Sequence, residues 1–178
     1  MRIEIKAKGS KVFYREVVNV VLQCRKLVKN PGRKVKDMIK TVKTGLTVLS
    51  ILLVAVIATM IAVGGSALLS FSLFLLIVTI LIYSVWLYKV EKMVHKMAED
   101  KKPSVLTIDE EGVELRKETE QVVKVFWSNI AFILKLKESI CFLPNDLSGM
   151  IIAISVDYMD EVMEALRETG HSDIMIGN

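Results

Sequence analysis

The rhythm of apolar positions changes several times along this chain, and each rhythm predicts a different element. Ile3, Ile5 and Ala7 alternate with Arg2, Glu4, Lys6 and Lys8, a short strand pattern that ends at Gly9-Ser10 and needs a partner sheet. Phe13, Val17, Val20, Cys24 and Leu27 then recur at intervals of three and four, while Lys11, Arg15, Asn19, Gln23 and Lys26 lie largely elsewhere. That spacing predicts an amphipathic helix stopping at Asn30-Pro31-Gly32. Its many valines keep a strand open as the other reading.

From Thr44 to Tyr88 the alternation disappears. These forty-five residues contain no Asp, Glu, Lys, Arg, His, Asn or Gln. A helix crosses a hydrocarbon core of about 30 Å in about 20 residues, so the run supplies two crossings. Gly64-Gly65-Ser66 sits where the chain would reverse. A cleaved signal peptide would carry a single apolar stretch of roughly 7–15 residues near the N-terminus, and this run starts later and is far longer. A buried soluble hairpin would need more apolar cover than the other 133 residues offer.

On either side of the run one pattern appears twice. Val35, Met38, Ile39 and Val42 precede it; Val90, Met93, Val94 and Met97 follow it, each set spaced i, i+3, i+4, i+7 on a lysine-rich helix. Such a stripe is either an interfacial helix gripping acidic lipid or the continuation of each span into a stalk whose stripes pack together.

After Lys101-Lys102-Pro103 the period becomes two. Leu106 and Ile108 lead to an Asp109-Glu110-Glu111-Gly112 turn, and Val113 and Leu115 return as the second arm of a hairpin. Val122 to Phe126 reads as the next strand, followed by Ile130, Phe132, Leu134 and Leu136 in strict alternation, then by Ser139 to Leu143 and Met150 to Ile154. Asp157 can cap a helix whose apolar face is Met159, Val162, Met163 and Leu166 and whose end is Gly170. The predicted fold class is a membrane α-helical hairpin plus a small α+β domain, an antiparallel half-barrel of about six strands closed by one C-terminal helix. The expected divisions are a basic arm at 1–43, the two-span hairpin at 44–88, a juxtamembrane helix or linker at 89–102, and the α+β domain at 103–178.

Charge alters this picture by dividing what the net +4 conceals. Residues 1–43 carry 13 Lys and Arg against 3 acids; residues 103–178 carry 6 against 14, a net of −8. Cations flank both ends of the apolar run while its turn has none, so the positive-inside tendency puts both termini in the cytoplasm and the protein in the cytoplasmic membrane. Tyr83, Trp86 and Tyr88, just ahead of Lys89, suit the interface at that end. Arg33, Lys34, Lys36, Lys40, Lys43, Lys89, Lys92 and Lys96 are the candidate contacts for anionic lipid headgroups, at roughly 1 kcal/mol each.

The residues also bound the chemistry. Cys24 and Cys141 are lone cysteines without a Cys-x-x-Cys pair, which indicates neither a disulfide framework nor a zinc site. His95 and His171 have no nucleophile or carboxylate placed beside them by a recognisable motif, and both read as solvated surface histidines. The acidic groups at 109–111 and 157–161 lack the ligand spacing of a calcium loop. The expectation is therefore no catalytic residue, no metal and no cofactor. The spans hold hydroxyls but no ionisable group at membrane depth, which disfavours transport. The basic arm lacks the aromatic interleaving of single-strand binders, so no nucleic-acid partner is expected.

The order of these parts, with Val125-Phe126-Trp127-Ser128-Asn129-Ile130 at a strand end, then a strand pair bearing Leu143-Pro144 and a terminal helix, resembles the YcxB-like family of bacterial membrane proteins. Pro144 departs from the family pattern by falling before the last turn instead of opening the helix. The resemblance implies a membrane-attached module like a pleckstrin-homology (PH) domain and does not imply an enzyme. The expected role is protein interaction or intramolecular regulation at the cytoplasmic face, with an unknown membrane or cytoplasmic protein, or a second copy, as partner. Trp127 is the candidate partner-binding anchor, set against plain packing at a strand end. The other reading is an anionic-lipid-responsive sensor in which the acidic domain masks the arm's lysines until lipid competes for them; an unrecognised membrane enzyme is a third.

Overall fold

The computed structural model describes residues 1–5, 10–99, 103–117, 122–145 and 150–177. Its elements are β1 (Arg2–Ile5), α1 (Lys11–Lys29), α2 (Met38–Val63), α3 (Ala67–Glu99), β2 (Ser104–Ile108), β3 (Gly112–Lys117), β4 (Val122–Phe126), β5 (Ile130–Lys135), β6 (Ser139–Pro144), β7 (Ile152–Ser155), α4 (Met159–Glu168) and β8 (Met175–Gly177). They form two compact units, Asp37–Met93, and Met1–Lys36 together with Val94–Asn178.

The first of these units is a pair of long apolar helices. Asp37 starts α2 by accepting a hydrogen bond from Lys40 N at 3.0 Å, and Gly64, at φ +88°, ends it in a conformation that a Cβ would oppose. Ser66 then accepts from Leu69 N in the first turn of α3. The reversal thus lies within residues 64–66. At 1.5 Å per residue the helices measure roughly 39 and 50 Å, enough to cross a ~30 Å core with turns to spare. α3 runs unbroken through its lysine-rich stripe, whereas α2 begins only at Met38, so Val35 of the first stripe lies outside the helix and packs instead beside the α1 cluster; Ile39 and Val90 of the stripes are buried.

Exposure along the helices follows a coiled-coil rhythm. Val42, Leu46, Leu49, Leu53, Val56 and Met60 on α2, and Leu69, Leu73, Leu76 and Ile80 on α3, are half-buried at spacings of four and three, the seam expected between two antiparallel helices. Lys43 and Glu91 form an ion pair from one helix to the other. The remaining surface is apolar and open, including Ile51, Val54, Ile61, Leu68, Phe71, Phe74 and Leu81. The most apolar eighteen-residue stretch of each helix contains no buried residue. Thr47, Ser50, Thr59 and Thr79 each donate to the carbonyl four residues earlier, at 2.8–3.1 Å.

The other unit is a mixed α+β fold with two four-stranded sheets. One has the order β1-β2-β3-β4, the other β7-β6-β5-β8. In the first sheet the register stacks Ile3, Leu106, Leu115 and Val123 in one row and Ile108, Val113 and Val125 in the next, so alternate residues from four strands face one interior. They meet Ile130, Ile133, Ile140, Phe142, Ile152 and Ile154 of the second sheet, with Val162, Ala165 and Leu166 of α4 packed into the same core.

Three expectations are corrected here. Among the described residues the unit has eight strands, because β1 from the N-terminus pairs with β2 and β8 follows the helix to pair in parallel with β5. Ile130, Phe132 and Leu134 do not share a face, since a bulge between Ile130 and Phe132 shifts the register. Ile130 consequently joins the main core, while Phe132 and Leu134 face α1 together with Cys141 and Leu143. This is why every residue of β6 is buried: α4 and the first sheet cover one face, and Phe13, Val17, Val20 and Leu27 of α1 cover the other. Finally, α4 begins at Met159 with Tyr158 at its cap, and Asp157 lies in a short turn in which Ser155 is the capping side chain.

Candidate interaction surfaces

The corner containing Trp127 is built from a tight acidic turn. Asp109 Oδ1 accepts from Glu111 N and Gly112 N, both at 2.9 Å, which makes this carboxylate a turn-former. Gly112 then enters β3 directly against β4: a Cβ there would lie 2.2 Å from the carbonyl oxygen of Val125. That close approach brings Trp127 under the turn, where its backbone N–H donates to Glu111 O at 3.1 Å and its indole Nε1–H to Asp109 O at 2.8 Å. His171 stacks on the indole, with ring centroids 4.2 Å apart.

Trp127 is therefore half-buried against the main core, with its N–H and a ring face already engaged. His171, read from sequence as a solvated histidine, is half-buried in this stack; His95 is exposed and pairs with Glu99 at 3.3 Å. The apolar groups open to solvent along the strand that leads to Trp127 are Phe126 at 46% exposure, next to it, and Val122 at 48%, at the strand's other end, on the outer face of β4, the terminal strand of its sheet. Lys124 lies between them, donates to Glu111 and stands 5.3 Å above the Phe126 ring. The Glu111 hydrogen bond holds the Lys124 ammonium above the ordinary lysine pKa, against the desolvation that opposes it and with added help from the charges of Glu111, Asp109 and Glu114. Sequence reasoning missed Phe126 and Val122 because both parities of Val122-Val123-Lys124-Val125-Phe126 are apolar around one lysine.

A second constellation joins the N-terminal helix to the rest of its unit. Glu16 Oε2 accepts from Glu138 N at 3.0 Å and from the Ser139 hydroxyl at 2.9 Å, which ties α1 to the turn between β5 and β6. Ser139 is fully buried, so the carboxylate supplies a partner that water cannot. One turn from the end of the buried face, the Gln23 amide pairs with the backbone of Lys36 in both directions: Nε2 donates to Lys36 O at 2.7 Å, and Oε1 accepts from Lys36 N at 3.1 Å. Beneath α1, burial pushes the Cys141 thiol up to about 12, with the Glu16 charge adding to the effect and the Ser139 contact opposing it.

The cations selected from sequence are all exposed. Arg33, Lys34 and Lys36 lie in the segment after α1, Lys40 and Lys43 in the first turns of α2, and Lys89, Lys92 and Lys96 in the last turns of α3. Within the hairpin unit, Lys40, Lys43, Lys89 and Lys92 gather at one end, where Lys43 is paired with Glu91. Trp127 belongs to the other unit. Among the described residues no three His, Cys, Asp or Glu side chains form a cluster able to hold a metal ion. Neither the protein-family models nor the curated proteins contain a match to this chain, so its residues alone carry the functional argument.

Proposed function

We propose that this chain is a two-span protein of the cytoplasmic membrane that presents a PH-like, YcxB-like module to the cytoplasm as a non-enzymatic docking platform for another protein. The carrying observation is the open apolar surface of α2 and α3, which leaves the most apolar stretches of both helices uncovered by the rest of the chain. An apolar area of that size is far beyond the few hundred Å² that soluble monomers expose, and lipid is the solvent that makes it favourable. Lysines at one end of the hairpin and a charge-free turn at the other orient it with both termini inside.

The docking role rests on the edge of β4. An extended segment can add to a terminal strand through backbone hydrogen bonds, and Phe126, next to the Trp127 corner, and Val122, at the strand's other end, offer it side-chain contacts. A photo-crosslinking residue at Phe126 in cells tests this, with Glu4, exposed on the outer face of β1 at the far side of the same sheet, as the control. The expected result is a protein adduct at 126 and none at 4. A heavier adduct containing a second copy would make that partner homotypic; recovery of no protein adduct at 126 would overturn the docking role.

A further inference from the structure

Helix α1 has two faces with different tasks. Phe13, Val17, Val20 and Leu27 pack under the second sheet, and Glu16 is turned to Ser139. On the opposite side, Leu22, Arg25, Lys26 and Lys29 are spaced i, i+3, i+4, i+7, which places them on one stripe of roughly 100°. All four are exposed, Leu22 at 40%, with Val21 beside them at 51%. One turn earlier on this side Val18 is buried, so the patch belongs to the C-terminal half of the helix. An apolar pair amid three cations gains nothing from water, and from Val17 to Lys36 the chain has six Lys and Arg and no acid.

The distance of this patch from the apolar run is limited by the chain itself. The Gln23 amide holds the backbone of Lys36 beside the fourth turn of α1. From Lys36 only eight residues lead to Thr44, where the uncharged run begins. In helix they span about 12 Å, against about 5–8 Å for one headgroup layer. A Debye length is about 8 Å in physiological salt, so charges tethered this closely act on the bilayer surface.

We infer that the Leu22–Lys29 face of α1, while still docked on its sheet, seats on an anionic lipid surface, with Arg25, Lys26 and Lys29 on headgroup phosphates and Val21 and Leu22 inserted among them. This rests on the reading of α2 and α3 as membrane spans, and the partner follows from charge complementarity and tether length. It adds to the hairpin a second site of contact with the bilayer.

The test uses full-length protein carrying Cys24→Ser, reconstituted into nanodiscs of phosphatidylcholine alone or with phosphatidylglycerol. An environment-sensitive fluorophore is attached at Leu22→Cys, at Val54→Cys within α2, or at Lys135→Cys, an exposed position on β5. The label at 22 is expected to shift to the blue and lose iodide quenching only with the anionic lipid, and to lose both responses when Arg25, Lys26 and Lys29 are changed to Glu. The label at 54 is expected to be protected in both lipids, and that at 135 in neither. A protected 54 with a 22 that stays open in both lipids overturns the inference and leaves the membrane spans standing. A 22 that is protected regardless of lipid and of charge reversal also overturns it, because the cover is then something other than anionic headgroups. An open 54 overturns the spans and the inference together.

Discussion

Replacing Gly112 by Ala should unfasten the β4 edge without touching any side chain that faces a partner. A Cβ at 112 would lie 2.2 Å from Val125 O, 2.8 Å from Phe126 Cα and 2.9 Å from Val125 C. All three are backbone atoms of the paired strand, so no flexible side-chain tip can swing away. Relief requires β4 to retreat by more than an ångström toward the normal contact distance of about 3.5–4.0 Å. The retreat sacrifices the Trp127 N–Glu111 O bond and the adjoining end of the β3–β4 ladder, at about 1 kcal/mol for each bond, with a further 1–3 kcal/mol for residual crowding. The sum is roughly 3–5 kcal/mol, a large share of the 5–15 kcal/mol that separates folded from unfolded domains.

Amide hydrogen exchange of the full-length protein in nanodiscs measures this locally. At 1.4 kcal/mol per tenfold, protection of the β3 and β4 amides should fall by about a hundredfold or more. The Phe126 crosslink should be lost with it. Gly32→Ala is the control, because nothing lies within 4 Å of a Cβ there; it should be neutral or add up to about 1 kcal/mol by stiffening the unfolded chain. Protection of β3 and β4 unchanged within about threefold in Gly112→Ala would show that the strand pair yields more easily than its geometry implies.

Other outcomes follow from the buried contacts. Glu16→Ala leaves the Glu138 N–H and the buried Ser139 hydroxyl without their acceptor, and chemical denaturation should report a loss of about 1–3 kcal/mol, with Glu16→Gln recovering part of it. Cys141, held in the folded state at about 12 against the ordinary 9.0, should resist maleimide until unfolding. Its sign in pH dependence is fixed. Above the unfolded thiol pKa the unfolded chain loses a proton that the folded chain keeps, so stability should fall by about 1.4 kcal/mol per pH unit between roughly 9 and 12. The difference between the wild-type and Cys141→Ala pH–stability curves isolates that slope; parallel curves would refute it. His171→Ala removes the ring stacked on Trp127, and in a Trp86→Phe background the Trp127 emission should shift to the red as water reaches the indole.

The parts of the fold that were legible in the sequence are those whose apolar pattern is one-sided or unbroken. The forty-five uncharged residues and the Gly-Gly-Ser reversal marked the helical pair, and α1 was read from its three-four spacing. What escaped was governed by long-range pairing. Nothing near Arg2–Ile5 says that its partner is Ser104–Ile108, about a hundred residues away, and the parallel pairing of β8 with β5 has no local signature. The alternation of Ile130, Phe132 and Leu134 misled because β5 is covered on both faces and bulged, so period two no longer marked a single buried side. Trp127 was singled out by its residue type alone, and its half-buried place against the core and under His171 is set by contacts distant in sequence. Phe126 and Val122 were hidden, because edge position is a property of the sheet order.

Folding together of the arm and the acidic domain also decides how lipid can act on them. A switch that frees the arm's lysines by pulling α1 off its sheet must expose Phe13, Val17, Val20 and Leu27. At about 1.5–3 kcal/mol per buried side chain that costs roughly 6–12 kcal/mol, before the Glu16 and Gln23 hydrogen bonds are counted. Anionic lipid returns roughly 1 kcal/mol per cation, so the three cations of the α1 patch supply about a third of what release requires. The favourable course is for lipid to bind the outer face of a helix that stays in place. Exchange protection of the α1 amides should accordingly hold or rise on adding anionic lipid, because a ligand of the docked helix adds to its stability, and raised salt should remove only that added part. Loss of that protection on adding anionic vesicles would show that apolar docking does not hold the helix, and would return the electrostatic switch to favour.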